Sequence, residues 1–207
     1  MKYPKTKNLF KRDRTTGELT HEFTDPVFSY LKHNKWIFTE KLDGMNMRCV
    51  FNAEGELSIY GRSNNAVIKS DLLEHTKQRV FTVQTQNTII FGEGIGPKIQ
   101  RGSKYCSERN FVMFNIADYD EQGNLSWWDW DLVKEVSQEH CIPMVPILGI
   151  GGLCKGVSQV AMGLKSRYGD FTAEGVVATP ACRQLNHIRV KIKFRDFAGR
   201  LDLLEGL

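Results

Sequence analysis

The stretch EKLDGMN, residues 40–46, sets a lysine two residues ahead of an Asp-Gly pair, with a glutamate before it and Arg48 shortly after. Lys41 has two readings. Asp-Gly is a favoured pair for tight hairpin turns, so the segment reads as a strand entering a turn. A lysine amine is also a nucleophile once it sheds its proton. Charged residues recur in other apolar runs, where half-buried strands rarely carry them without a reason. Arg62 follows SIYG, Glu93 sits inside IIFGEGIG, Glu174 precedes GVV, and Lys191 and Lys193 alternate with Val190, Ile192 and Phe194. Alternation puts Lys191 and Lys193 on one face, where two ammoniums repel unless an anion lies between them. An exposed sheet face is the other reading of that pair. Taken together, the set suits a nucleoside triphosphate: lysines for the phosphates, one carboxylate for the ribose hydroxyls, another for a divalent metal. Neighbouring cations would disfavour a further ammonium, lower the lysine pKa and free the Lys41 amine to attack phosphorus.

The elements that must position these residues follow from periodicity and punctuation. TDPVFSYLKHN reads as a short helix, with Thr24 or Asp25 at the N-cap and Pro26 at the first helical position. KWIFTEK, MNMRCVF and LSIYGRS read as successive strands of an antiparallel meander. In the second of these, Met45, Met47, Cys49 and Phe51 share one face, and Asn46, Arg48 and Val50 the other. SDLLEHTKQRVF is a helix capped by Ser70 or Asp71, NTIIFGEGIG a buried strand running into a glycine-rich loop, and NFVMFNIADYD another strand. LSWWDWDLVKEVSQEH turns helical in its second half; PMVPILGI is a strand, VSQVAMGLKSRYG a helix ending on Gly169, and AEGVVATP and HIRVKIKFRDF close the chain as strands. Strands outnumber helices without regular crossovers, so the fold class is α+β, built on antiparallel sheets. GEGIGPK and GIGGLCKG fit neither a dinucleotide fingerprint nor a phosphate-cradling loop ending in Lys-Ser/Thr.

The chain has 207 residues, 41% of them hydrophobic, enough for a real core in one domain spanning 1–207 with a basic N-terminal arm over 1–14. No apolar run reaches membrane-spanning length and no secretory signal opens the sequence. Five scattered cysteines without a C-x-x-C pair read as reduced thiols, which points to the cytoplasm and away from a disulfide framework or structural zinc. Net charge is +4, concentrated in Lys2, Lys5, Lys7, Lys11, Arg12 and Arg14 and again in Arg189, Lys191, Lys193, Arg195 and Arg200. Such clusters suit a polyanion; a solvated, partly mobile tail is the other reading of the arm.

In this order the segments resemble the motifs of covalent nucleotidyltransferases, the superfamily of polynucleotide ligases and mRNA capping enzymes. EKLDGMN resembles the nucleotidyl-lysine motif, with Lys41 as nucleophile, Glu40, Leu42 and Asn46 at the nucleotide, and Asp43 and Gly44 as motif positions. GRSN resembles the motif whose arginine, here Arg62, contacts the nucleotide. FGEGIG resembles the one whose glutamate, Glu93, binds the ribose, and FVMFNIADYD the one whose aromatic, Phe114, stacks on adenine. AEGVV places Glu174 near the metal, and VKIKF places Lys191 and Lys193 on the phosphates. Within the superfamily the sequence is most similar to ATP-dependent RNA ligases that seal nicks in duplexes, including phage RNA-repair and trypanosome RNA-editing enzymes. Glu40 directly before the lysine and Asn46 five residues after it are typical of that branch.

The resemblance implies an antiparallel-sheet nucleotidyltransferase domain (adenylyltransferase, ATP-grasp-like ligase) flanked by helices, ATP as substrate, Mg²⁺ or Mn²⁺, and a lysyl-AMP intermediate. It implies nicked duplex RNA or an RNA/DNA hybrid as partner, no membrane, and host cytoplasm if the chain is phage-encoded. Asn115 departs from the family's usual aspartate after the stacking phenylalanine. The sequence stops soon after Lys193, so neither an OB-fold nor a helical C-terminal domain is expected, and a partner protein is a possible source of those contacts. A basic arm and C-terminal strand gripping phosphates would compensate in part. Two alternatives stay open: a minimal DNA or mixed RNA/DNA ligase, and a nucleic-acid-binding module or partial enzyme limited to adenylyl transfer.

Overall fold

The strands on either side of Asp43-Gly44, Trp36–Glu40 and Met45–Phe51, belong to different sheets. The computed structural model describes residues 1–207. In chain order its elements begin β1 (Lys7–Asn8), β2 (Phe10–Arg12), β3 (Leu19–Phe23), α1 (Pro26–Leu31), β4 (Trp36–Glu40), β5 (Met45–Phe51), β6 (Leu57–Gly61) and α2 (Ser70–Val80). Next come β7 (Thr88–Ile95), β8 (Asn110–Tyr119), β9 (Leu125–Trp127), α3 (Trp130–Glu139), β10 (Ile147–Gly151) and α4 (Leu153–Ala161). The chain closes with β11 (Gly175–Pro180), β12 (Val190–Lys193) and α5 (Phe194–Phe197). These form two compact units, Lys5–Lys41 with Pro146–Leu207, and Met1–Pro4 with Leu42–Val145. The chain therefore passes between units directly after the candidate nucleophile. No helix is long and apolar enough to cross a membrane.

In the first of these units the sheet order is β1-β12-β11-β4-β10, antiparallel except where β1 runs parallel to β12. Both edges of β4 are taken, by β11 and β10, so β5 cannot pair with it. The meander expected across Asp43-Gly44 is corrected accordingly. The core joins Trp36 and Phe38 of β4 to Val176, Ala178, Val190 and Ile192 and to the face of α4 carrying Leu153, Val157 and Val160. That i, i+4, i+7 spacing is an amphipathic stripe, and burying each such side chain contributes about 1.5–3 kcal/mol. The helix expected to run to Gly169 stops at Ala161; Gly163, in the left-handed region at φ 85°, sits just past the Met162 cap, where helices commonly end. Asp25 is the N-cap of α1, its side chain accepting from the Val27 N–H.

From Lys5 onward the N-terminal arm is built into this unit instead of trailing from it, while Met1–Pro4 belong to the other unit. Leu9 and Phe10 are buried in the core, β1 extends the sheet, and β2 pairs with β3. Three of its cations meet acids: Lys7 with Asp25 at 2.6 Å, Lys11 with Glu22 at 3.0 Å and Arg12 with Asp196 at 2.6 Å. At the C-terminal end β12 is shorter than HIRVKIKFRDF suggests. Its partner β11 begins opposite Lys193, so beyond the Phe194 N–H to Glu174 carbonyl bond no strand remains to pair with, and the chain turns into α5.

The other unit holds the antiparallel sheet β6-β5-β7-β8-β9. Period-two alternation divides β5 as expected: Met47, Cys49 and Phe51 pack with Leu72 and Val80 of α2 and Val133 of α3. On the opposite face Val50 lies against the cluster of Ile89, Phe91 and Ala117, together with Phe114, Trp127 and Tyr3. Ser70 is the first residue of α2 and caps nothing; the cap residue is Lys69, and Asp71 is held by Arg109. Glu93 lies inside β7, not in a loop, because the strand continues through Gly92 and Gly94 to Ile95. The strand expected from Pro143 starts at Ile147: the Pro143 carbonyl accepts from Met113, and Val145 donates back to Met113, which commits that segment to β8.

Candidate active site

Lys41 follows directly on β4, and its N–H donates to the Gly175 carbonyl at 3.0 Å. That bond sets the end of β4 against the start of β11, and Glu174 precedes β11 by one residue. The result is a tight grouping of charged side chains. Lys41 Nζ lies 2.6 Å from Glu174 Oε2, and Lys193 Nζ lies 3.6 Å from Glu174 Oε1. All three side chains are largely buried yet reachable, at 23%, 19% and 16% exposure for Lys41, Glu174 and Lys193. Lys191 shares the half-buried face of β12 with Lys193, while Val190 and Ile192 point into the core, so the alternation expected for that strand holds.

Glu40 is buried at 1% exposure, and its carboxylate accepts from Ser166 Oγ at 2.5 Å and from the Arg167 N–H at 2.9 Å. It braces the loop after α4 while its backbone pairs with Val176 of β11. A buried carboxylate held by two donors is stable there, and one deprived of them would carry a large desolvation cost.

In the other unit Leu42 is buried, and the Asp43 N–H donates to Tyr105 Oη at 3.0 Å. The Gly44 N–H donates to Glu93 Oε1 at 3.2 Å. A Cβ on Gly44 would stand 2.3 Å from the Gly94 carbonyl oxygen and 2.9 Å from Glu93 Cγ, so only glycine lets β7 come this close. The register of β5 and β7 puts Asn46 directly opposite Glu93, and Arg48 opposite Phe91. These two pairs therefore lie on one sheet face.

Arg62 is exposed just past the end of β6, in a segment held from below by Arg48. Arg48, only 3% exposed, donates to the carbonyls of Gly61 and Arg62 and to Asn64 Oδ1, and its guanidinium lies 4.9 Å from the Tyr60 ring centroid. Burial lowers its pKa from the ordinary arginine value. Phe114 sits where the β7–β8 register shifts, with Tyr3 packed edge-on at 5.0 Å. The Tyr3 hydroxyl donates to Asn115 Oδ1 at 2.7 Å, which gives the departing asparagine a partner.

Arg48, Ser166, Tyr3 and Tyr105 were not legible as site residues. Arg48 left one signal, a cation in the middle of a strand; the other three left none. The carboxylates do not assemble a metal centre by themselves, since no group of three or more His, Cys, Asp or Glu residues is placed to hold an ion. Mg²⁺ usually keeps one or two protein carboxylates and fills its shell with water and substrate phosphates, so Glu174 alone fits that manner of binding.

A family model described as RNA ligase matches residues 34–194. Among solved structures, a Naegleria gruberi RNA ligase with PPi is 18% identical, with a TM-score of 0.67 over 91% of this chain and 59% of that one. A lysine-to-alanine mutant of the Naegleria gruberi enzyme with ATP and Mn is 15% identical, with a TM-score of 0.68 over 98% of this chain and 62% of that one. The chain thus spans about 60% of the length of these structures, and the likeness to them is one of fold. With the family model covering most of its residues, including every motif position from Glu40 to Lys193, the chain belongs to the RNA ligase family of covalent nucleotidyltransferases.

Proposed function

We propose that the protein is an ATP-dependent RNA ligase that joins 5′-phosphate and 3′-hydroxyl ends at nicks in duplexes through an adenylate carried on Lys41. The observation that carries the reading is the Lys41–Glu174–Lys193 cluster, one carboxylate shared by two lysines at 2.6 and 3.6 Å. An amine held this way is positioned for attack on phosphorus once the carboxylate lets go. In the first step Lys41 Nζ attacks the α-phosphorus of ATP, forming a P–N bond and releasing pyrophosphate. The AMP then passes to a 5′-phosphate, freeing Lys41. A 3′-hydroxyl finally attacks that phosphate, AMP leaves, and a phosphodiester forms.

Lys191 and Lys193 offset charge on the transferring phosphoryl group, which is where most catalysis of such transfers arises. Glu174 is the residue that would hold Mg²⁺ or Mn²⁺. A metal bound there supplies further neutralisation of phosphate charge. Glu93 accepts from ribose hydroxyls, Phe114 stacks on the base, and Arg62 contacts the nucleotide, with Arg48 fixing the segment that carries it. Leu42 and Asn46 complete the nucleotide contacts; Glu40, whose carboxylate is committed to Ser166 and Arg167 and whose N–H donates to the Pro146 carbonyl, acts by fixing the strand end that carries Lys41.

The family match and the Naegleria structures with PPi and with ATP and Mn support the chemistry; the nick as substrate rests on the Glu40 and Asn46 signature. The test is sealing of matched nicked duplexes made of RNA, DNA or both, with ATP and Mg²⁺ or Mn²⁺. The reading expects joined RNA product. Joining confined to DNA nicks, or AMP transfer with no joining on any duplex, would replace it.

A further inference from the structure

We propose that Ser166 is a positioning residue for adenylation, fixing Lys41 against Glu174 through the Glu40 carboxylate. This role rests on the ligase reading and deepens it at the Lys41 site. Ser166 is 8% exposed and 126 residues from Glu40 in the chain, yet its Oγ donates to Glu40 Oε1 at 2.5 Å. The same oxygen accepts from the Tyr168 N–H at 3.1 Å, and the Arg167 N–H donates to Glu40 Oε2 at 2.9 Å. Both carboxylate oxygens are therefore held by adjacent residues of one loop.

The two sides of this clamp each end one residue short of the chemistry. Glu40 precedes Lys41, and loop 164–173 runs directly into Glu174. The loop closes on itself: the Ala173 N–H donates to the Leu164 carbonyl and the Ser166 N–H to the Phe171 carbonyl, both at 2.9 Å, and Lys165 pairs with Asp170 at 2.6 Å. It thus arrives at Glu174 as a stiff piece, and the clamp sets where that piece stands relative to the end of β4. Lys41 Nζ and Glu174 Oε2, 2.6 Å apart, are the atoms so placed.

Bracing alone does not account for a carboxylate at this place. Glu40 is 1% exposed, a buried charge carries a desolvation cost, and an apolar side chain would cover a loop that already closes on itself without that cost. What the carboxylate adds is direction, since two bonds to neighbouring residues fix both the depth and the rotation of the loop. Trp36 and Phe38 point into the core, so alternation puts Glu40 on that same side and Lys41 on the other. Lys191 and Lys193 are also turned away from the core. The Ser166–Glu40 bond therefore lies behind the sheet from the lysines, and its influence on phosphorus passes through Lys41 and Glu174. Displacing a reacting group by about 1 Å can cost on the order of a hundredfold in rate.

The test measures AMP transfer to Lys41 in single turnovers over a range of ATP concentrations, beside joining of a nicked RNA duplex whose 5′ end already carries AMP. The second reaction needs no attack by Lys41. Ser166→Ala should lower the maximal rate of AMP transfer by about 10- to 100-fold while the half-saturating ATP concentration moves by less than about threefold. Joining of the pre-adenylated nick should also change by less than about threefold. Ser166→Thr keeps the hydroxyl and should restore most of the transfer rate. If Ser166→Ala does not fold, Glu40→Gln, whose amide keeps one acceptor and loses the other, should show the same division between the two reactions. Wild-type transfer rates in Ser166→Ala with only a lowered melting temperature, equal losses in both reactions, or a threonine variant no faster than alanine would overturn the role given to Ser166. If the wild-type chain joins no pre-adenylated nick, the division between rate and ATP saturation and the threonine rescue decide alone. A wild-type chain that takes up no AMP would instead overturn the ligase reading itself.

Discussion

Lys41 and Glu174 form an ion pair, Nζ to Oε2 at 2.6 Å, because strand register brings the end of β4 to the start of β11. Gly175 stands opposite Lys193 in the neighbouring ladder, which brings the second lysine to the same carboxylate. One acid therefore holds the nucleophile and a phosphate-binding lysine at once, and its neutral isostere separates the roles. Glu174→Gln should lower the rate of AMP transfer to Lys41 at least tenfold, about 1.4 kcal/mol in the barrier. It should also lower stability by about 1–2 kcal/mol, since two ammoniums then face each other across a half-buried site. Rates with labelled ATP and a melting curve check both parts.

Lys191 and Lys193 lie on the face of β12 turned away from the core. Lys191→Ala and Lys193→Ala should keep a near-normal melting temperature while AMP transfer falls by at least an order of magnitude, again about 1.4 kcal/mol. Pronounced unfolding with intact chemistry would assign them to the sheet instead.

Glu93 is positioned by the Gly44 N–H and stands opposite Asn46. If it accepts from both ribose hydroxyls, the wild-type protein should use ATP in preference to dATP, and Glu93→Gln should weaken ATP use. Initial rates with the two nucleotides decide; equal use of both removes Glu93 from the ribose.

Arg48 supports the Arg62 segment through three acceptors, and its removal leaves them without a donor. Arg48→Met should cost about 1–3 kcal/mol in chemical denaturation. Arg48→Lys should not restore it, because an ammonium lacks the planar fork that reaches several acceptors while lying over the Tyr60 ring. A lysine variant of wild-type stability would show that charge alone suffices.

The sequence made the alternation of MNMRCVF and VKIK legible because each strand has a core on at least one face and register follows from burial. Asp43-Gly44 misled for a physical reason. A turn pair says that the chain bends, and nothing local says whether the next strand pairs with the last or enters another sheet. Pro143 to Ile147 misled in the same way, since one apolar run is divided between β8 and β4 as partners. The arm was read by charge, while two apolar residues, Leu9 and Phe10, decided its place. At the candidate site, the motif residues are named from the family resemblance, whereas the side chains that hold them in place leave no such mark. Ser166 and Tyr105 act across long sequence separations, with |i−j| of 126 and 62, and carry no signature of their own.

Covalent adenylation of Lys41 is read from the intact-protein mass after incubation with ATP and Mg²⁺ or Mn²⁺. The wild-type chain should gain one AMP, removed by pyrophosphate and absent from Lys41→Ala. A wild-type protein that stays unmodified across metal and pH, or a Lys41→Ala variant that still takes up AMP, would contradict it.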